Sequence, residues 1–278
     1  MKFENIRVYN FENALRGMRN PKNSWHLSDS EFGFDTLENV KTKIESKYNT
    51  KMERILAYQN HILKTDGDIA EYAFIGEKDM KLAKALIKGG SEHRKFLRQI
   101  FVTIDITAPL YWWKEFDTYK VATVANSTST MHTIHTTPIE LKSFEVDDYK
   151  PMIDIKENTI LNTKVSDFIE TLEELRQFYL KYSEMAKKSE DPAEKKKLNI
   201  LAKWYWKELI RWTPNGWNQT RTVTMNYETL LAMCSPGQRR FHKLNEWSGI
   251  DNDYVPNFIK AVRQLPYAQD FIFGDETK

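Results

Sequence analysis

Five hydroxyls fall within the eight residues Thr123 to Thr130, and a run of that kind can donate several hydrogen bonds to a phosphate. It lacks the glycines that shape a backbone nest, so the hydroxyls would have to carry the contact. His132 and His135 stand at i and i+3, but no carboxylates accompany them at helical ligand spacing. They read as surface or hydrogen-bonded histidines, and no metal is assigned. The glycine fingerprint of dinucleotide folds, the phosphate loop of nucleotide hydrolases, the HExxH zinc motif and the GxSxG elbow are all absent.

Eight Trp, thirteen Tyr and fifteen Phe are more than a plain helical bundle needs, and two tight groups stand out, Tyr111-Trp112-Trp113 and Trp204-Tyr205-Trp206. Clustered aromatics line cores, subunit interfaces or sites for flat ligands. Tyr205 falls on a helical apolar stripe with Trp204 and Trp206 flanking it, so that group reads as packing. Trp112 and Trp113 are then the pair that could bear on a flat ligand or a subunit contact.

The elements that must position these residues follow from pattern. Ile6 to Phe11 alternates as a strand, and Asn13 to Arg19 forms a short helix ended by Asn20-Pro21. Residues 22 to 35 read as loop, Leu37 to Leu63 as helix with a break near Asn49, and Lys81 to Lys88 as a helix stopped by Gly89-Gly90. Phe101 to Ile106 reads as a strand presenting Thr103 and Asp105 on one face. Thr107-Ala108-Pro109 then begins a helix running to about Tyr119, with no helix expected from Lys120 to Thr130. Two long helices follow, Ser166 to Lys187 and Asp191 to Trp212, the second opening on a capping box of Asp191 and Glu194. Asn226 to Met233 is a further helix, and the tail from Asp253 a last one closed by Pro266. The expected fold class is α+β, mostly helical with a small antiparallel sheet, in one domain over 1–278.

The chain has 278 residues, 41 Lys+Arg against 39 Asp+Glu and one cysteine, Cys234. A net charge of +2 argues against general nucleic-acid binding, because a phosphate-tracking surface needs a cationic excess. One cysteine allows no internal disulfide, and no apolar run approaches the ~20 residues of a membrane span. No charged-then-apolar leader opens the sequence, so a cytoplasmic protein without membrane contact is expected.

The strand at 101–106, the Thr-Ala-Pro that follows it and the polar stretch beyond resemble flavin-dependent thymidylate synthases. In that family an FTFxV strand leads into KAP, a helix and the signature RHRxxSxNExSxR. Phe-Thr-Phe falls on Val102-Thr103-Ile104, Ala-Pro on Ala108-Pro109, and the signature on Thr118 to Thr130. The family's early Ala-Val-Arg-x-x-Arg matches Ala14 to Arg19. Its later elements match Arg211 with Pro214, Thr224-Met225-Asn226, Arg239-Arg240 and Glu246-Trp247.

The resemblance implies reductive methylation of dUMP to dTMP, with methylenetetrahydrofolate as carbon donor, FAD as hydride carrier and NADPH as reductant. It implies that Arg240 polarises the uracil and is the catalytic residue. Thr103, Thr118, Tyr119, Lys120, Asn126 and Asn226 would contact FAD. Glu115, Ser127, Thr128, Ser129, Thr130 and Arg211 would contact the nucleotide substrate. A homo-oligomer, a tetramer by resemblance, is implied as well. The sequence departs from the family at Thr118-Tyr119-Lys120 in place of Arg-His-Arg, at Asn126, at Thr130 and at Glu228 in place of an arginine. Lysine cannot reproduce a bidentate guanidinium contact. The alternative implied by these departures is a nucleotide-binding or structural oligomer of the same fold without flavin catalysis.

Overall fold

The computed structural model describes residues 1–147, 159–235, 237, 242–249 and 255–274, with the side chains of 159–162 left aside. The fold is α+β, with a four-stranded and a three-stranded sheet. The chain forms two compact units. The larger comprises Lys2–Ile106, Thr118–Ala125 and Thr222–Lys278, and the other, mostly helical, comprises Met1, Thr107–Asp117 and Asn126–Arg221.

In the larger unit β1 (Lys2–Tyr9) leads into α1 (Phe11–Met18). Helix α1 buries Phe11, Ala14, Leu15 and Met18, a stripe spaced i, i+3, i+4, i+7. Phe11 meets the rings of Tyr227, Tyr267 and Phe271 at centroid distances of 5.6, 5.9 and 6.3 Å. A second cluster joins α2 (Leu37–Lys47) and α3 (Lys51–His61) to β2 (Glu31–Thr36), β3 (Ile62–Asp66) and β4 (Ile69–Phe74) through Val40, Ile44, Ala57, Ala70 and Phe74. Thr50 and Glu53 form the capping box that starts α3.

The three strands pair antiparallel in the order β2-β4-β3. The expected helix to Leu63 therefore ends at His61, and the chain enters a hairpin whose two-residue turn places Gly67 at φ +56°. The turn signal lay in Asp66-Gly67, and β2 also falls in the stretch expected to be loop. Helix α4 (Glu77–Lys88) follows and stops at Gly89 as expected.

Strand β5 (Phe101–Pro109) buries Val102, Ile104, Ile106 and Ala108 on one face. In the larger unit its other face pairs with β7 (Asn218–Asn226): Thr103 meets Thr224 at 3.3 Å and Thr222 donates to Asp105 at 2.6 Å. Asn5 of β1 adds a bond to Asp105 at 2.7 Å. In the helical unit Thr107 meets Thr220 at 2.8 Å. Because each step forward on β5 is a step back on β7, the pairing is antiparallel. The helix expected from Thr107 begins instead at Leu110, since the Thr107 bond keeps the chain extended through Pro109, the N-cap of α5 (Leu110–Phe116). The first α5 amides donate to the carbonyls of Trp217 and Asn215. Five strands thus escaped the sequence reading: β2, β3, β4, β7 and β6 (Val124–Ser127).

Further along lie β6 (Val124–Ser127) and α6 (Thr130–Thr133), then the long pair α7 (Thr159–Lys188) and α8 (Pro192–Trp212). Asp191 caps α8 by accepting from Ala193 and Glu194 amides, as the sequence predicts. The pair packs around Leu172 and Leu209 together with Ile134, Ile139 and Phe144. After β7 come α9 (Tyr227–Cys234), α10 (Asn245–Ser248) and α11 (Phe258–Arg263), followed by one π-helical turn at Gln269–Phe273.

The packing expected of Tyr205 is observed, whereas Trp204, Trp112 and Trp113 depart from their expected roles. Trp112 and Trp113 are fully buried and pack edge to face at 4.9 Å, with Phe116 at 5.1 and 5.3 Å. They are core of the helical unit and offer no surface to a flat ligand. Trp204 is 53 % exposed, and its neighbour Tyr205 stacks on Phe178 and Tyr182 at 5.0 and 5.4 Å.

Candidate functional site

Within the larger unit, the segment matched to the family signature runs from Thr118 to Ala125 and is largely exposed. Tyr119 and Thr123 are half-buried, the Tyr119 ring lying 6.4 Å from His242 and 6.0 Å from Trp247. His242 stacks on Trp247 at 4.5 Å and reaches the Met233 carbonyl at 2.9 Å, so this wall is built of fixed rings. Lys120 is exposed. The Val121 carbonyl accepts from the Thr229 hydroxyl at 3.1 Å, which ties the segment to α9. Ala122 adopts φ +56°, a left-handed conformation that costs an L-residue without glycine's freedom.

Asn226, matched to a FAD contact, is the N-cap of α9. Its Oδ1 accepts from the Thr229 amide at 2.9 Å and the Thr229 hydroxyl at 3.1 Å. That acceptor serves the helix start. Thr103 is half-buried and engaged with Thr224. Glu228 is held by Arg94, whose Nε lies 3.1 and 2.9 Å from the two carboxylate oxygens. The charge that sequence alone sets against a pyrophosphate is therefore compensated within the fold.

The N-terminal arginines go separate ways. Arg16 is exposed, its guanidinium 5.4 Å from the Trp25 ring centre. Arg19 is buried, with Nε 2.6 Å from Asp79, which also accepts from Ser28 at 2.5 Å and Ser30 at 2.6 Å. A guanidinium locked in that way is structural. Arg239 and Arg240 lie outside the described residues, so the proposed catalytic arginine has no placement here.

Within the helical unit, Asn126 and Ser127 lie exposed on β6 and make no side-chain hydrogen bond among the described residues. Thr128 donates to the Thr220 carbonyl through both its amide, at 2.9 Å, and its hydroxyl, at 3.2 Å. The Ser129 carbonyl accepts from Thr133, and Thr130 receives Gln219 at 3.4 Å. Glu115 is half-buried on α5. Arg211 is exposed near the end of α8 and paired with Glu208, which also accepts from the Trp212 indole at 3.0 Å. Arg221, which the sequence reading passed over, stacks 4.2 Å from the Trp113 ring centre and binds Asp117 at 2.7 Å.

The same unit holds a cleft of about 380 Å³, which His132 and His135 help to line. Tyr179 and Ser183 reach it from α7, and Asn199, Lys203 and Trp206 from α8. Sequence reasoning missed these five. The available signal was two i, i+4 polar pairs, Tyr179/Ser183 and Asn199/Lys203, on helices that a three-residue turn folds back on each other.

A flavin would need donors and cations for its pyrophosphate and a flat slot for its ring. The described residues matched to FAD supply hydroxyls, an amide and Lys120, while the Asn226 acceptor is already used and Trp112 and Trp113 are core. That donor set suits a ligand held by neutral hydrogen bonds and a lysine better than one gripped by paired guanidiniums. The fit to FAD is partial, and no reaction step is derived through it.

No family model and no curated protein matches the chain. Among solved structures, it is similar to thymidylate synthase X from Helicobacter pylori with FAD and dUMP. The identity is 16% over 90% of this chain and 98% of that one, with a TM-score of 0.42. A second structure from the same organism, flavin-dependent thymidylate synthase complexed with FAD and dUMP, is 17% identical. It covers 88% of this chain and 97% of that one, with a TM-score of 0.41.

Proposed function

We propose that the chain is a divergent flavin-dependent thymidylate synthase-like protein that binds a pyrimidine nucleotide. The activity to test is reductive methylation of dUMP to dTMP with methylenetetrahydrofolate, FAD and NADPH. The observation that carries this reading is the signature-matched stretch itself. In the helical unit Asn126 and Ser127 stand exposed and make no side-chain hydrogen bond among the described residues, on backbone anchored at Thr128; in the larger unit Lys120 stands exposed beside the anchored Val121. Exposed donors on anchored backbone are what a phosphate-bearing ligand requires. Arg240 remains the proposed uracil-polarising group. Glu115, Thr128, Ser129, Thr130 and Arg211 are proposed for the substrate, and Thr103, Thr118, Tyr119 and Asn226 for the cofactor. A homotetramer in the cytoplasm belongs to the same proposal.

One observation favours the alternative of a nucleotide-binding or structural oligomer without flavin catalysis. Arg19, aligned with an arginine of the family's N-terminal motif, is consumed by Asp79. Titration with FAD and with dUMP by calorimetry, alongside an assay for dTMP, separates the two. The first reading expects flavin absorbance that survives purification and turnover lost in Arg240→Ala. Nucleotide binding without flavin binding or dTMP would establish the nucleotide-binding form of the alternative, and binding of neither would overturn the first reading.

A further inference from the structure

The cleft of the helical unit is lined by none of the signature-matched residues and has a chemistry of its own. At about 380 Å³ it falls within the ~300–1,000 Å³ range of small-molecule sites. Its polar lining is one-sided: Lys203 brings a full positive charge, and His132, His135, Ser183 and Asn199 bring groups able to donate. Among the described residues no aspartate or glutamate lines it. The adjoining groove on α8, about 440 Å³, shares Asn199 and Lys203 and adds Lys195 and Lys196, which extends the positive field toward solvent.

Two flat walls are held in fixed orientation. The Trp206 indole donates to the Met131 carbonyl at 3.1 Å, and the Tyr179 ring meets the His135 ring edge to face at 4.9 Å. The backbone behind His135 is equally fixed, because Arg176 donates to the His135 carbonyl at 3.0 Å. Arg176 is itself clamped by both Glu173 oxygens at 2.7 Å. Glu173 also accepts from the Ile139 amide at 2.8 Å. Against this order the His135 Nδ1 stands out: it is buried and has no hydrogen-bond partner among the described residues. A buried polar atom left unmatched is costly, and a polar ligand group or a water in the cleft would satisfy it.

We infer that this cleft binds a small anion carrying a flat heteroaromatic ring, a nucleoside monophosphate being the simplest molecule of that description. The anionic group is placed against Lys203 and the imidazoles, and the ring against Trp206 and Tyr179. The inference does not rest on the proposed thymidylate synthase-like activity, since neither Lys120 nor any residue matched to the signature lines the cleft.

The test uses the full chain and AMP and UMP as probes, titrated by calorimetry, with adenosine and ribose 5-phosphate as half-ligands. Saturable binding of at least one monophosphate is expected, with each half-ligand at least tenfold weaker. Lys203→Glu should weaken binding at least tenfold, and Asn199→Asp should weaken it as well. Both residues are exposed on the surface of α8, so an unchanged circular dichroism spectrum is expected for each. Lys51→Ala, at an exposed residue assigned to neither site, should leave the titration unchanged. Absence of saturable binding would overturn the inference, as would indifference to Lys203→Glu. Loss of binding in Lys120→Ala would do so too, by assigning the nucleotide to the signature-matched segment.

Discussion

Replacing Arg19 by Ala is expected to destabilise the larger unit by about 3 kcal/mol, without any ligand taking part. Asp79 is fully buried, Arg19 is 5 % exposed, and their contact of 2.6 Å joins α1 to α4. Removing one partner of a buried pair typically costs ~3–5 kcal/mol, because the other charge is left uncompensated. The Ser28 and Ser30 hydroxyls remain on the Asp79 carboxylate, and charged hydrogen bonds worth ~1.5–3 kcal/mol apiece pull the figure to the lower end. Arg19 also donates to the Ser24 carbonyl at 3.3 Å, so the turn after α1 loosens in the same variant. At about 3 kcal/mol the folded-to-unfolded ratio drops by roughly two orders of magnitude, and a slope near 3 kcal/mol/M moves the urea midpoint by about 1 M. Urea unfolding followed by circular dichroism measures this directly. In the double variant Arg19→Met with Asp79→Leu most of the loss should be recovered, since an apolar pair leaves no charge behind. A loss under about 1 kcal/mol for Arg19→Ala, combined with a large fall in nucleotide affinity, would show that Arg19 serves a ligand and refute the reasoning.

Three further outcomes can be checked. His61 is buried between Tyr48 at 2.8 Å and Tyr267 at 2.7 Å, and burial lowers its pKa, so the fold favours the neutral ring. The unfolded chain then takes up the proton first. Stability should be full above about pH 6.5 and fall below it by at most ~1.4 kcal/mol per pH unit, a slope that His61→Gln should flatten in urea melts from pH 7.5 to 5.5. Burial raises the pKa of Glu173, but bonds from Arg176, Ile139 and Gln177 outweigh it and hold the pKa at about 2. Its contribution is present above ~4.5 and lost as pH falls toward 2; Glu173→Gln should forfeit it at pH 7 and converge with the parent in acid. Trp112→Ala should cost ~3–5 kcal/mol while Trp204→Ser stays below about 1, and thermal melts of the two variants test the reversed reading of the aromatic groups.

What the sequence reveals here tracks how local the determining physics is. The α8 start was legible because Asp191, Pro192 and Glu194 write the cap in consecutive residues. The break at Asn49 was legible because Tyr48 ends one helix and Thr50 caps the next. The β7 strand was not, since its threonines find their partners on β5 more than a hundred residues away. The same distance hid the end of β5, where Thr220 decides that Thr107 stays extended. Burial of Trp112 and exposure of Trp204 depend on which helix face meets which neighbour, and adjacency in sequence carries none of that. Of the candidate site, the exposed hydroxyl segment was visible by composition. The neutralisation of Glu228 by Arg94 and the capture of Arg19 by Asp79 needed pairing over 134 and 60 residues.

The course of the chain through its two units sets an order of events during synthesis. The first hundred residues cannot complete their core when they emerge, because Phe11 waits for Tyr227, Tyr267 and Phe271. The intervening helical unit, with its α7–α8 hairpin closed by a three-residue turn, has nearby partners and can form earlier. Until the last stretch arrives, α1 exposes the apolar stripe of Phe11, Ala14, Leu15 and Met18 to solvent. A nascent chain of this design can close the cluster around Val40, Ile44 and Phe74 early, but losing its last stretch would leave Phe11 without its ring partners.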